Sequence, residues 1–324
     1  MATQVMERRV NRNEIFIALR EYGIYFALAL LVLGFSIASP RFHTANNFVL
    51  VLLQVSVTGI ISIGMLFVIL SAGIDLSVGS TLAVAGMISG VYAQKDPTPI
   101  NIIIALAIPL VIGLVCGIFN GALVAWAKVP ALIVTLGTLY AYRGFVVWYR
   151  VNPIYDLQPW YRIIGQNSIG PIPIPVVVFF LVTLLASIIL NYTRFGRYIY
   201  AVGGNEAAAR AAGINVSMVK LGVYTISGLL CGLAGLVFTS RLGAAQAISG
   251  QGYELIAIAS VVVGGASLFG GRGTVSKTIV GALIIQVLQS GLVMLNVPSP
   301  IQQIIIGMII IAAVGLDNVL RKNP

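Results

Sequence analysis

Few side chains in this sequence could do chemistry. Its 324 residues hold nine Asp and Glu, one His and two Cys. No H-E-x-x-H, no G-x-S-x-G and no pair of carboxylates at helical spacing inside an apolar run is present, so metal-assisted and nucleophilic hydrolysis have no residues to use. A Walker A loop needs a Gly-Lys pair to hold phosphates, and no such pair occurs. The stretch "GGASLFGGRGT" at 264–274 looks like a phosphate loop in composition only. It lacks the Lys and a preceding soluble strand, and its glycines suit a tight turn. His43 has no companion ligand, so no metal and no cofactor is expected. Cys116 and Cys231 lie inside apolar runs, where a thiol acts as a small hydrophobic residue and not as half of a disulfide.

Two polar stretches stand out against this background. The first is "GGNEAAARAAGINV" at 203–216. Asn205 suits an N-cap, Glu206 the positive end of a helix, and Gly213 a C-cap. Glu206 and Arg210 are spaced i,i+4 in the favourable order. The resulting helix, 206–212, is only about 10 Å long and is marginal on its own, so something must dock it. Its alanines let a neighbouring surface approach the backbone closely, as a plug fits a groove; a capped helix merely joining two spans is the plainer reading. The second stretch is "SAGIDLSVGS" at 71–80. There Gly73 can end one helix and Asp75 cap the next. That leaves either a tight cytoplasmic turn or a broken helix of the kind used to build substrate paths.

The elements carrying these stretches are membrane helices. Charged residues are 9% of the chain, against about 25% in soluble domains, and the mean hydropathy is +1.00. Ten apolar runs reach the length of about 20 residues that a bilayer demands: 22–39, 48–72, 76–94, 101–126, 130–149, 173–191, 220–240, 254–270, 275–295 and 300–317. The fold class expected is therefore an all-α polytopic membrane protein, one transmembrane domain over 1–324. With the N-terminal segment 1–21 in the cytoplasm, thirteen of the 19 Lys and Arg fall inside. This sets both termini inside and explains the net charge of +10 without nucleic acid. A cleaved signal peptide ending at "SIA" (36–38) is the competing reading, but its apolar stretch is long and its removal spoils the charge parity.

The longest polar interruptions are 150–172 outside and 192–219 inside. The outer one suits an interfacial loop, with Trp148, Tyr149, Trp160 and Tyr161 at headgroup depth. Gly113, Gly117 and Gly121, Gly86 with Gly90, and Gly228 with Gly232 form small-xxx-small stripes that suit contacts within the bundle. Asp75 and Glu254 fall at span edges and Arg143 near an outer end, so no ionisable group stands clearly at mid-bilayer. That disfavours an ion-coupled carrier, which is kept as the alternative. An embedded enzyme is disfavoured by the missing reactive pair.

"FGRYIYAVGGNEAAARAAGINV" at 195–216 closely resembles the cytoplasmic coupling segment of ABC-transporter permeases of the ribose-type sugar import family. "LSAGIDLSVGS" at 70–80 and "GYELIAIASVVVGGASLFGGRGT" at 252–274 resemble the same family, and the likeness runs from about 15 to 320. It implies the permease subunit of a monosaccharide importer in the bacterial inner membrane, working by alternating access. Its implied partners are a cytoplasmic ABC ATPase, a second permease copy or paralogue, and a periplasmic or extracellular sugar-binding protein. It implies an ATPase-coupling role for Gly203, Gly204, Asn205, Glu206, Ala207, Ala208, Arg210, Ala211, Gly213 and Ile214. The segment is shorter than the coupling loop of other importer classes, so contacts beyond 205–214 do not carry over. Gly73, Asp75, Ser77 and Gly79 are implied in conformational coupling. An importer fed by a capturing protein need not bind its cargo tightly, so mildly polar residues on the spans are pathway candidates: Gln54, Ser56, Thr58, Asn120, Thr135, Thr138, Gln286 and Gln289.

Overall fold

The structure, a computed structural model, describes residues 12–322. Arg8 and Arg9, counted above among the inside charges, lie outside the described residues together with the rest of 1–11. The chain forms thirteen helices and one two-stranded hairpin among the described residues: α1 (Arg12–Ala38), α2 (Ala45–Leu70), α3 (Val78–Ala93), α4 (Pro99–Ala125), α5 (Ala131–Tyr149), α6 (Pro159–Gln166), β1 (Ser168–Ile169), β2 (Ile172–Pro173), α7 (Ile174–Tyr192), α8 (Arg194–Gly204), α9 (Glu206–Ala211), α10 (Val216–Leu242), α11 (Tyr253–Val263), α12 (Val275–Met294) and α13 (Ser299–Lys322). Capping follows local chemistry. Thr44, Thr98 and Thr274 accept hydrogen bonds from the third residues of α2, α4 and α12, and left-handed Gly243 ends α10.

Six helices, α2, α4, α5, α7, α10 and α12, are long and apolar enough to cross a membrane. Shorter apolar stretches at Tyr22–Ala38, Val78–Ala93, Tyr253–Val263 and Ser299–Ala312 occupy the other four expected positions. Two of these depart from the sequence reading. The run 254–270 is helical only to Val263, a rise of about 16 Å at 1.5 Å per residue. Beyond it the chain turns through Gly264 and Gly265, the latter at φ +80°. The run 76–94 becomes helical at Val78, so 71–77 is an irregular segment in which Ser71, Gly73, Asp75 and Ser77 are buried.

The core centres on α10, which packs against α4, α2 and α3. The glycine stripes are its contact faces. A Cβ on Gly113 would overlap the Gly228 carbonyl, one on Gly228 would overlap the Gly113 carbonyl, and one on Gly86 would overlap the Thr239 hydroxyl. Lipid supplies no hydrophobic drive between helices, so this backbone approach maximises dispersion contact instead. Cys116 and Cys231 are buried free thiols.

The polar interruptions hold more structure than their composition suggested. The outer one contains α6 and the β1–β2 hairpin, which turns at Gly170. Tyr161 is packed inside the fold and not on its surface. It is 0% exposed, and its hydroxyl lies 2.7 Å from the Ser89 hydroxyl while its carbonyl accepts from Ser240. Trp148, by contrast, is strongly exposed, at 81%, and Tyr149 is exposed too. The inner interruption begins with α8, and Gly203 and Gly204 form its last turn instead of a loop.

Gly228→Ala is expected to keep the chain inserting while destabilising the bundle by about 1–3 kcal/mol, the usual cost of overpacking. Gly137→Ala is the control, since a Cβ there meets nothing within 4 Å. Denaturant midpoints in detergent compare the two.

Candidate functional site

The three polar motifs, far apart in sequence, meet at the end of α2. Gly271 N–H donates to the Leu70 carbonyl at 3.0 Å. Gly203 packs so closely that a Cβ would overlap that same carbonyl, and Gly270 and Gly271 abut the backbone of Gly203 and Gly204. Tyr200 closes the contact by donating to the Gly273 carbonyl at 2.8 Å. Glycine-to-glycine contact of this kind leaves no flexible side chain between α8, the 264–274 bend and α2.

The short helix α9 forms as its residues dictate. The Asn205 side chain accepts from Ala208 N–H at 2.9 Å and also ends α8. Gly213 adopts φ +81°, and Ile214 N–H returns to the Ala209 carbonyl. Docking is partly within the chain: Ala209 is buried, and Glu206 Oε2 accepts from Lys220 Nζ of α10 at 2.7 Å. Glu206 Oε1 also accepts from Arg210 at 2.9 Å. The Lys220 hydrogen bond, reinforced by both cations, holds the Glu206 carboxyl below its ordinary value of 4.5. Asn205, Ala207, Ala208, Arg210, Ala211 and Gly213 remain exposed, a nearly flat polar-capped face. Beside α9 lies a cavity of about 410 Å³, bordered by Glu206, Arg210, Lys220 and Lys128 and also by Ser71, Ala72 and Gly73. The helix and the start of the second motif thus share one space.

The second motif is the broken-helix alternative and not a tight turn at the surface. Asp75 is 2% exposed, and its carboxylate is fully partnered. Oδ1 accepts from Ser77 N–H at 3.0 Å and the Ser77 hydroxyl at 2.6 Å, while Oδ2 accepts from the Ser227 hydroxyl at 2.8 Å, near the middle of α10. Asn120 of α4 donates to Ser77 Oγ at 2.8 Å. The Ile74 carbonyl accepts from Tyr224 and from Thr135. The carboxylate placed at a span edge by hydropathy therefore lies against mid-helix. Hydropathy windows missed this because the segment between two apolar runs folds back into the bundle.

A second irregular segment enters from the opposite end. Residues 244–252 run along α3, where Ala245 pairs with Ile154 through two backbone hydrogen bonds and Gly79 abuts Gly250. Arg143, seen in the sequence only as an outer charge, donates to the carbonyls of Ala247 and Ser249. A lone Arg in an apolar span is the signal that could have revealed this clasp.

The pathway candidates divide. Gln54, Thr58, Gln286 and Gln289 surround one cavity of about 360 Å³, with Gln286 Nε2 donating to Thr58 Oγ1 at 3.2 Å. Asn120 and Thr135 belong instead to the surroundings of Asp75. The Ser56 and Thr138 hydroxyls donate to carbonyls of their own helices, Leu52 and Val134.

Among known proteins, a family model described as branched-chain amino acid transport system / permease component matches residues 47–314. The ribose import permease protein RbsC of Haemophilus influenzae is 41% identical over 321 residues, covering 98% of each chain. The D-allose transport system permease protein AlsC of Escherichia coli is 40% identical, covering 93% of each. The xylose transport system permease protein XylH of Haemophilus influenzae is 35% identical, covering 94% of this chain and 98% of its own. No solved structure matches.

The Glu206 contact predicts a pH response. A carboxyl whose folded value lies below its unfolded one adds stability above the unfolded value and loses it as pH falls through the folded value. Hydrogen-exchange protection of 206–212 is expected to hold from neutrality down to about the ordinary value and to fall below it. Glu206→Gln is expected to remove that dependence.

Proposed function

The chain belongs to the family described as branched-chain amino acid transport system / permease component, and from that premise we propose that it is the membrane subunit of a monosaccharide importer. It is a multi-pass membrane permease with no ATPase of its own, so hydrolysis falls to a partner subunit. The relatives named for ribose, allose and xylose support a monosaccharide as cargo.

In this reading the chain is one transmembrane domain that crosses the membrane ten times with both termini in the cytoplasm, and 192–219 is its cytoplasmic coupling segment. Residues 205–214 seat in a cleft of an ABC ATPase, with Gly203 and Gly204 joining them to the bundle behind. A second permease, identical or paralogous, and a soluble sugar-binding protein on the outer side complete the transporter. The observation carrying the proposal is the meeting of Gly203, Leu70 and Gly271. A push on α8–α9 reaches the end of α2 through backbone alone, then the 71–77 segment, and through Asp75 it reaches α10 and α4. Gly73, Asp75, Ser77 and Gly79 act here as transmission, not as sugar ligands.

Gly203→Ala is expected to insert and still capture the ATPase, because the exposed α9 face is intact. Its ATP-driven uptake of D-ribose in vesicles should fall about tenfold, the effect of overpacking by roughly 1.4 kcal/mol. Gly204→Ala, where a Cβ meets nothing within 4 Å, should transport normally. Changing Glu206 and Gly213 together should lose both ATPase capture and uptake. Uptake that survives this change, and collapses with an ionophore, would make the protein a gradient-driven carrier and overturn the proposal.

A further inference from the structure

The cavity around Thr58 and Gln286 lies between α2, α12, the start of α13 and the first turn of α11, at the end of the bundle opposite α9. It exists because α11 begins only at Tyr253. The chain before that point follows α3, held there by Arg143 and Ile154, so no helix fills the space between α2 and α12.

Its lining is unlike its surroundings. Most helix contacts in the bundle are apolar or glycine, whereas this wall carries the amides of Gln54, Gln286, Gln289 and Gln302 and the hydroxyls of Thr58 and Tyr253. Among the described residues, the side chains of Gln54 and Gln289 and the Tyr253 hydroxyl have no hydrogen-bond partner. The Gln286 amide spends one N–H on Thr58 and leaves its carbonyl oxygen free. Arg241 stands at the rim, over the Phe238 ring. No carboxylate lines the cavity. Amides both donate and accept, as do the hydroxyls of a neutral sugar, whereas a cation would find no counter-charge here. The volume, about 360 Å³, falls in the range of about 300–1,000 Å³ usual for small-molecule sites.

We propose that this vestibule is a binding station for one neutral monosaccharide within a single chain, with Gln286 and Thr58 as its floor and Gln54 and Gln289 as its walls. The station rests on the importer reading for its cargo but not for its geometry. It holds the sugar inside one subunit, separately from any passage formed between two.

Cysteine protection tests it on the full chain in lipid nanodiscs. Val293→Cys places a thiol on the lining and leaves every amide intact, while Lys95→Cys on an exposed turn is the control. The buried Cys116 and Cys231 are checked by labelling the unsubstituted chain. D-Ribose, D-allose, D-xylose and D-fructose are each offered during reaction with a charged methanethiosulfonate. At least one is expected to slow labelling at position 293 about threefold when present at twice its dissociation constant, with no effect at position 95. Gln286→Leu should abolish that protection; if that variant fails to insert, Gln289→Ala replaces it. The proposal is overturned if none of the four sugars protects, if position 95 is protected equally, if the floor variant is still protected, or if only an anion such as D-gluconate protects. Labelling needs no ATPase. Its failure leaves ATP-driven uptake to be judged separately, and failure of that uptake leaves protection readable.

Discussion

The lipid core offers no hydrogen-bond partner, so every backbone N–H and C=O within it must be satisfied by the protein. Two segments of this chain, 71–77 and 244–252, abandon helical bonding inside the bundle, and much of the remaining structure exists to meet their needs. Ser71, Ala72 and Gly73 turn their N–H groups back onto Val68 and Ile69, Tyr224 and Thr135 reach the Ile74 carbonyl, and Ser227 completes the Asp75 carboxylate. Arg143 and Ile154 do the corresponding service for 244–252. The short lengths of α3 and α11 follow directly, since each begins where an irregular segment ends.

Those segments also explain why the glycines lie where they do. Irregular backbone can be buried only if its neighbours come close, and Gly79 against Gly250, like Gly203 against Leu70, admits that approach. The result is a connection from the α8–α9 pair to mid-α10 that runs through backbone contacts and one carboxylate partnered at both oxygens. A buried carboxylate with three donors is costly to disturb, because losing one leaves part of its desolvation uncompensated.

The two cavities stand at opposite ends of α2. Between them its residues from Ile60 to Leu70 are buried, with Ile60, Ile61, Met65 and Leu66 at 0% exposure. Apolar packing along this stretch of α2 lies between the polar floor at Thr58 and Gln286 and the space beside α9.

Much of this protein was legible in its residues. Hydropathy located the six helices long and apolar enough to cross a membrane and the positions of four shorter apolar ones among the described residues, because each run reports its own partition into lipid whatever it packs against. The α9 caps were equally local: Asn205 and Gly213 act on backbone groups a few residues away, so spacing sufficed. The glycine stripes announced close contact but not the partner, since a stripe states what a face permits and not what meets it. Only the tertiary structure brought Leu70, Gly203 and Gly271 together, set Asp75 against Ser227, buried Tyr161, and gathered Gln54, Thr58 and Gln286 while sending Asn120 elsewhere. These contacts span from 43 to 228 positions of chain, governed by how helices of known length pack and fold back. A single sequence carries no term for that geometry, whereas propensity, capping and hydropathy are sums over near neighbours.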